Sequence, residues 1–392
     1  MIVKVKMKIC AIICEFNPFH NGHRYLIEQA KKLSKCDKII CIMSGSFTQR
    51  GDIAVFDKFT RARHAVLCGA DAVLELPVSF SVAPAEIFAR GAIKILSAIP
   101  EVATLAFGCE NPGSDFVGAA RILNKESKKF KKVLNENLAD GESYIKSYEA
   151  AFVACGGEEN LLSRPNNILA VEYAKAILNT GAMLEILPVG RVGSQFDEDE
   201  LKSGFSSAKA IRKNADSPLV KDSVPECVFT DFLNYSDKNP RFEEFLRFKL
   251  LQSSPETLQK IYGCTEGLEN RLLNLADLPF GQIIENATAR RYSSSRIKRI
   301  LTANLLGLYA EDCMEYLAAP LYLKPIVIKK ERSDEIMAAL AKSEFPVILK
   351  QRNLNELNEV AKKCFKCDEN SYRFWTFIAE KPESGFDYPK FI

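Results

Sequence analysis

Strand and helix signals alternate through the first 110 residues, and that order leaves few folds open. Ile9–Cys14 is a short apolar run of the kind that forms a strand buried on both faces. From His23 to Lys35 the apolar residues return at helical spacing, with Leu26, Ala30 and Leu33 on one stripe. Lys38–Met43 reads as a second strand. Asp57 to Cys68 reads as a helix, capped by Asp57 and closed by Gly69. Ala72–Leu76 is a strand that stops at Pro77, Ala85 to Ala98 is a helix, and Val102–Phe107 is a fourth strand. This order predicts a parallel, doubly wound α/β sheet.

The pattern then loosens. Lys125 to Glu142 predicts a charged, exposed helix. Asn166 to Asn179 predicts an amphipathic helix ending before Gly181, and Met183–Val189 another strand. Ser206 to Asn214 starts like a helix, with Ser206 or Ser207 as its N-cap. Asp222–Cys227 suits a linker, and residues 230–320 read as mostly helical. The tail, 321–392, mixes helices with strand-like Ile326-Val327-Ile328 and Pro346-Val347-Ile348-Leu349. The chain thus divides into an α/β domain, 1–220, and a mostly helical C-terminal domain, 221–392.

Composition excludes several classes. No stretch reaches the roughly 18 apolar residues of a membrane span. The basic opening Met1–Lys6 resembles a signal n-region, but the apolar run Ile9–Cys14 is too short to follow it. A cytoplasmic protein is expected, and its 12 Cys read as reduced, buried hydrophobes. Cys364-Phe365-Lys366-Cys367 has half the spacing of a zinc ribbon and lacks the other half, so no metal site is expected. The net charge of +3 decides nothing about nucleic acid, but residues 201–300 carry 16 Lys/Arg against 12 Asp/Glu, enough for a local basic face.

Chemistry concentrates in Glu15-Phe16-Asn17-Pro18-Phe19-His20-Asn21-Gly22-His23, between the first strand and the first helix. Two of the three His stand three apart with Gly before the second; for this composition any His-x-Gly-His arises by chance about once in a thousand chains. A strand-to-helix turn aims backbone N–H groups at an anion. Gly22 is expected to leave room for a base or ribose. Imidazole nitrogens can donate to phosphate oxygens as charge builds on them during attack at an α-phosphorus. A second segment, Phe205-Ser206-Ser207-Ala208-Lys209-Ala210-Ile211-Arg212, brings hydroxyls and a guanidinium to another helix start.

Together these segments resemble the nucleotidylyltransferase superfamily, whose Rossmann-like fold is shared with class I aminoacyl-tRNA synthetases. A closer resemblance, to the bacterial tRNA(Met) cytidine acetate ligases, rests on the His20 segment and on Met43-Ser44-Gly45, Gln49-Arg50-Gly51, Gly69-Ala70-Asp71, Glu75-Leu76-Pro77, Phe107-Gly108, Pro165-Asn166-Asn167-Ile168-Leu169 and Glu266-Gly267-Leu268-Glu269-Asn270. It implies that ATP, arriving with Mg²⁺, activates acetate as acetyl-adenylate, and that the acetyl group passes to N4 of the wobble cytidine of elongator tRNA(Met).

The same resemblance implies residue roles. Ile13, Cys14, Glu15, Phe16, Asn17, Pro18, Phe19, His20, Asn21, Gly22, His23, Arg24, Tyr25 and Leu26 are expected to wrap ATP, joined by Gly108, Asn167 (with Asn166 as the alternative) and Arg191. His20, His23, Ser207 and Arg212 are the expected catalytic set. Lys58 and Arg61 are expected either to reach acetate or phosphate or to form a plain exposed helix face. Where the family commonly has Ser-Ala-Thr-x-Ile-Arg, Lys209 stands at the Thr position, while Ser207, Ile211 and Arg212 are retained. Arg290, Arg291, Tyr292, Arg296, Lys298 and Arg299 form the expected tRNA contact, with Tyr292 stacking on a base, and Tyr322-Leu323-Lys324 matches a further family position. Two other readings use the same residues: a small-molecule adenylyltransferase, which gives the C-terminal region no role, and a non-catalytic tRNA- or nucleotide-binding module, which needs no His pair.

Overall fold

The central strands are apolar at most positions on both faces, so their alternating side chains feed two cores at once. Ile9, Ala11 and Ile13 join Ile40, Ile42 and Leu74 on one face, while Cys10 and Ile12 join Ile39, Cys41 and Val73 on the other. In the computed structural model, which describes residues 7–193, 200–201, 204–382 and 385–392, these strands belong to one sheet. The basic opening, 1–6, lies outside the described residues. The strands are β1 (Ile9–Cys14), β2 (Lys38–Ser44), β3 (Ala72–Leu76), β4 (Val102–Cys109), β5 (Glu185–Gly190), β6 (Pro325–Ile328) and β7 (Lys390–Phe391), in the order β5-β4-β1-β2-β3-β6-β7. The first five run parallel. β6 lies antiparallel to β3, and β7 parallel to β6.

Helices cover both faces. Asn21–Ser34 and Lys58–Leu67 bury Ile27, Ala30, Phe59 and Ala65 on one side. Ala85–Ser97, Phe116–Lys125 and Pro165–Thr180 cover the other. Asp57 caps its helix by accepting from Thr60 N at 2.9 Å, and Gly181 closes Pro165–Thr180 in the left-handed conformation.

The structure departs from the sequence reading in four places. Asp222–Cys227 is not a linker: it runs through the helices Val220–Ser223 and Glu226–Phe232, held by Val224, Val228 and Phe232 in the core beside Phe59. Lys125–Glu142 holds the end of one helix and then a second, Lys128–Ala139, separated by Glu126 at φ 37°. Pro346–Leu349 makes one bridge, Leu323 to Val347, and no strand, since Pro346 has no N–H to donate. Ile326–Ile328 does form a strand, but in the sheet of the N-terminal region.

Residues 239–306 fold mainly as helices around a third core containing Phe242, Leu246, Phe280, Ile297 and Leu301. Phe47 and Ile53, from the loop after β2, and Trp375, from the helix Glu359–Ile378, complete that core. Gly51 is the closest point. At φ +79°, its missing Cβ would lie 2.5 Å from the Lys298 carbonyl carbon, and its own carbonyl accepts from Thr302 Oγ1 at 2.7 Å. Gly51→Ala is therefore expected to destabilise by more than about 1 kcal/mol through left-handed strain plus a backbone clash, read as a lower urea midpoint.

Beside β3 lies a buried charge cluster. Lys58 Nζ stands 2.9 Å from Glu75 Oε2 and 2.7 Å from Asp387 Oδ2, and Lys324 Nζ is 2.9 Å from Glu75 Oε2. Asp368 accepts from Tyr322 OH at 2.6 Å and from Val78 N at 2.7 Å. Cys364 and Cys367 face the hydroxyls of Tyr322 and Tyr316. No helix among the described residues is long and apolar enough to cross a membrane.

Candidate nucleotide-binding site

At the C-terminal end of β1 the chain turns into the helix Asn21–Ser34 through Phe16, at φ 48°, and a cis Asn17–Pro18 bond. His20 is the N-cap. Its Nδ1 accepts from Gly22 N at 3.1 Å, and His23 Nδ1 accepts in return from His20 N at 3.3 Å. The two imidazoles stack with centroids 3.7 Å apart. Gly22 is expected to leave room for a base or ribose; the ring lying against it is that of His20, whose Cε1 would be 2.9 Å from a Cβ on Gly22. Burial, then the Arg191 and Arg212 charges, pushes His20 down to about 3, and burial with His20 and Arg191 holds His23 well below its usual range. Both rings are therefore neutral near pH 7. With each Nδ1 accepting from backbone, the proton sits on Nε2, leaving each ring one N–H donor for an anion.

The cleft these rings line has two connected lobes of about 150 and 200 Å³. Phe107, Gly108, Val189 and Gly190, at the ends of β4 and β5, wall the first, with Tyr25 and Phe205 opposite. The second adds Glu15, Gln49, Arg50, Asp52, Ser207, Lys209 and Arg212. Arg191 reaches both. Arg212 Nη1 donates to Asn17 O at 2.6 Å, so the second segment is bonded to the loop that carries the first. Asn21 Nδ2 adds bonds to Gly204 O and Asp222 O, each 2.9 Å. Ser207 caps the helix Ala208–Lys213 by accepting from Ala210 N at 3.0 Å. Glu15, 2.6 Å from Gln49 N, is raised above the usual carboxylate range by burial.

Several expected residues sit elsewhere. Asn167 is buried behind the cleft, its Oδ1 accepting from Glu110 N at 3.1 Å, and Asn166 faces the cleft in its place. Phe19 is fully buried against Phe16, Arg24 pairs outside with Glu28, and Pro18 lines neither lobe. Lys58 and Arg61 line neither lobe and form no exposed face. Lys58 is in the charge cluster, and Arg61 donates to Glu15 O, Ser44 O, Gly45 O and Phe56 O, tying the loops after β1 and β2 together. Gln49 and Arg50 stood in the sequence comparison without a role. Leu169 and Tyr173 were missed, although they follow Asn166 at helical spacing, which was the available signal.

The basic segment is mostly committed to the fold. Tyr292 is 8% exposed and donates to Glu266 O at 2.6 Å, so it cannot stack on a base. Arg296 lies over the Tyr292 ring and donates to Gly263 O at 2.8 Å. Lys298 pairs with Asp52 at 2.9 Å, and Arg299 reaches Gln49 O at 3.3 Å. Arg290 and Arg291 are exposed. Lys324, the further family position, belongs to the charge cluster.

Residues 7–386 match the HIGH Nucleotidyl Transferase family. A protein of Pediococcus pentosaceus named tRNA(Met) cytidine acetate ligase is 37% identical over 310 residues, covering 78% of this chain and 80% of its own. One of the same name from Thermosipho africanus is 32% identical over 387 residues, covering 95% and 90%. The crystal structure of apo Thermotoga maritima TmcAL superposes with a TM-score of 0.89 at 28% identity, covering 98% of this chain and 100% of that one. The same protein bound with alpha-thio ATP superposes at 0.83 with 29% identity over 95% of each chain. Matched over nearly its full length, and with His20, His23 and Arg212 on one cleft, this protein is a member of the tRNA(Met) cytidine acetate ligase family of HIGH nucleotidyl transferases.

Proposed function

We propose that the chain is a cytoplasmic ligase that uses ATP to activate acetate and acetylates N4 of the wobble cytidine of elongator tRNA(Met). The observation that carries this reading is the closure of two separate segments on one cleft: two Nε2–H donors from His20 and His23, and the Arg212 guanidinium bonded across to Asn17 O. Support for ATP as the nucleotide comes from the similar Thermotoga maritima protein, which binds alpha-thio ATP.

A carboxylate oxygen of acetate attacks the α-phosphorus in line, and the bond to pyrophosphate breaks. His20, His23 and Arg212 meet the charge that builds on the phosphate oxygens, and Ser207 adds a hydroxyl donor. Gly108, Arg191 and Asn166 hold the adenosine end. The cytidine amine then attacks the acetyl carbon, its proton is released, and AMP leaves. Mg²⁺ is taken as part of the ATP substrate. Among the described residues, the carboxylates on the cleft are Glu15 and Asp52, engaged by Gln49 N and Lys298, and no step is routed through a protein-held ion. In this reading residues 1–220 carry the chemistry and 221–392 contact tRNA, while β6 and β7 lend edge strands to the sheet.

The test is incubation of the purified protein with radiolabelled acetate, ATP and unmodified tRNA(Met). Label in RNA that requires ATP is the expected result; ATP turnover indifferent to acetate would favour the small-molecule adenylyltransferase instead. A companion prediction concerns the exposed pair. Arg290→Ala with Arg291→Ala is expected to weaken tRNA binding and to flatten the slope of log affinity against log salt by about 1 per lost phosphate contact. An unchanged salt slope would remove the pair from the RNA surface.

A further inference from the structure

Beyond the nucleotide cleft lies a larger cavity, about 570 Å³, between the loop after β2 and the helical region. Arg50, Asp52, Lys209 and Arg212 line both it and the cleft, so the two share a neck. Its rim is exposed at Lys213, Asn239 and Ser294. Its floor is apolar and buried at Phe242, Leu246 and Phe280. The walls are pinned: Lys298 pairs with Asp52, Thr302 bonds Gly51 O, and Gly51 lies against the backbone of the helix Ser294–Leu306.

We propose that this cavity is the acceptor pocket, holding an unstacked pyrimidine nucleotide of RNA so that its amine reaches the acyl-adenylate through the neck. The inference rests on the function proposed above and adds to it the place where the RNA is read. A nucleotide taken out of its stack needs an apolar surface for its base, cations for its phosphates and acceptors for an amino edge. Phe242, Leu246 and Phe280 border the space while 7% exposed or less, so they offer the base an apolar edge rather than a stacking face. Lys209 and Lys213 stand where the flanking phosphates would pass. Asp237 and Glu243 put carboxylate acceptors on the wall, the partner type suited to the cytosine N4 amine. The volume falls in the range of pockets for organic ligands of some size and far exceeds what acetate needs.

The test fills the mouth. Asn239→Trp and Ser294→Trp are each expected to lower acetyl transfer to tRNA(Met) by about 100-fold, while acetate-dependent exchange of pyrophosphate into ATP stays within about twofold of the parent protein. Ser294→Glu, a milder change, is expected to raise KM for tRNA and leave exchange alone; it decides the matter should either tryptophan variant fail to fold by circular dichroism. Transfer unaffected in these variants, or exchange lost in step with transfer, would overturn the assignment. If the parent protein shows no acetate-dependent exchange at all, the underlying function fails instead, and the two failures are told apart by that control.

Discussion

Replacing His23 with asparagine is expected to lower acetate-dependent pyrophosphate exchange by about 10²–10³-fold while leaving the fold intact. The asparagine Oδ1 takes the place of Nδ1 and still accepts from His20 N, so the helix keeps its cap. What disappears is the Nε2–H, the donor that the local hydrogen bonding fixes on the cleft side. His20→Asn makes the same separation through its bond from Gly22 N. Because burial and the neighbouring Arg191 and Arg212 charges hold His20 down at about 3, exchange should show no titration of these rings between about pH 5 and 8. A step near pH 6.5 in the parent protein that vanishes in the variants would contradict the neutral-donor assignment. The same depression sets a sign for stability. Unfolded imidazoles bind protons below about pH 6.5, and the folded rings do so only well below that. Stability contributed by the neutral rings is therefore present above pH 6.5 and lost as pH falls toward 3. Urea midpoints at pH 7 and pH 5 should differ less for the double asparagine variant than for the parent.

Glu75→Ala is expected to cost about 3–5 kcal/mol, because it removes the anion shared by two buried ammonium groups. Lys58 and Lys324 are 1% and 2% exposed, and Asp387 would remain as their ion-pair partner, with Asp368 near Lys324. Burial pushes the Glu75 carboxyl upward, but Lys324 and Lys58 outweigh it and hold it at about 2. Its contribution is thus complete above about pH 4.5 and lost as pH falls toward 2. Asp368 behaves in the opposite sense: burial first, then the Glu75 charge, raises it to about 7. Its protonated form favours the fold at low pH, and that contribution is lost as pH rises through about 7. Removing Glu75 lets Asp368 ionise more easily, so the variant should recover part of its deficit between pH 6 and 8. A loss below about 1 kcal/mol in urea titration, with no pH-dependent recovery, would mean the cluster contributes only packing.

The buried strands were legible because their limits are chemical. Lys8 and Glu15 bracket β1, and Pro77 ends β3. The helix Phe116–Lys125 escaped notice although Asp115, after the turn residues Asn111-Pro112-Gly113, is an N-cap signal; it accepts from Gly118 N at 2.8 Å. The Ile326–Ile328 strand could be read locally, but its pairing with β3 could not, since registry between segments so far apart in the chain leaves no mark in either one. The site divides the same way. The His20 and Arg212 segments stood out by residue type and spacing, and the fold brings both to one cleft. Asn166 and Asn167 are chemically identical neighbours, and only the helix's rotation over Glu110 decides which one faces the cleft. Arg61 reads as a surface cation until the four carbonyls around it are known.

The placement of β6 at the β3 edge has a consequence for biosynthesis. A ribosome releases β1 to β5 long before it makes residues 325–328, so the nascent sheet waits with an open flank and with Lys58 and Glu75 lacking half of their eventual neighbours. An unpaired flank of this kind invites association with other chains. Early termination products should therefore aggregate or be degraded, and chaperone demand should peak in the interval between translation of β5 and translation of β6.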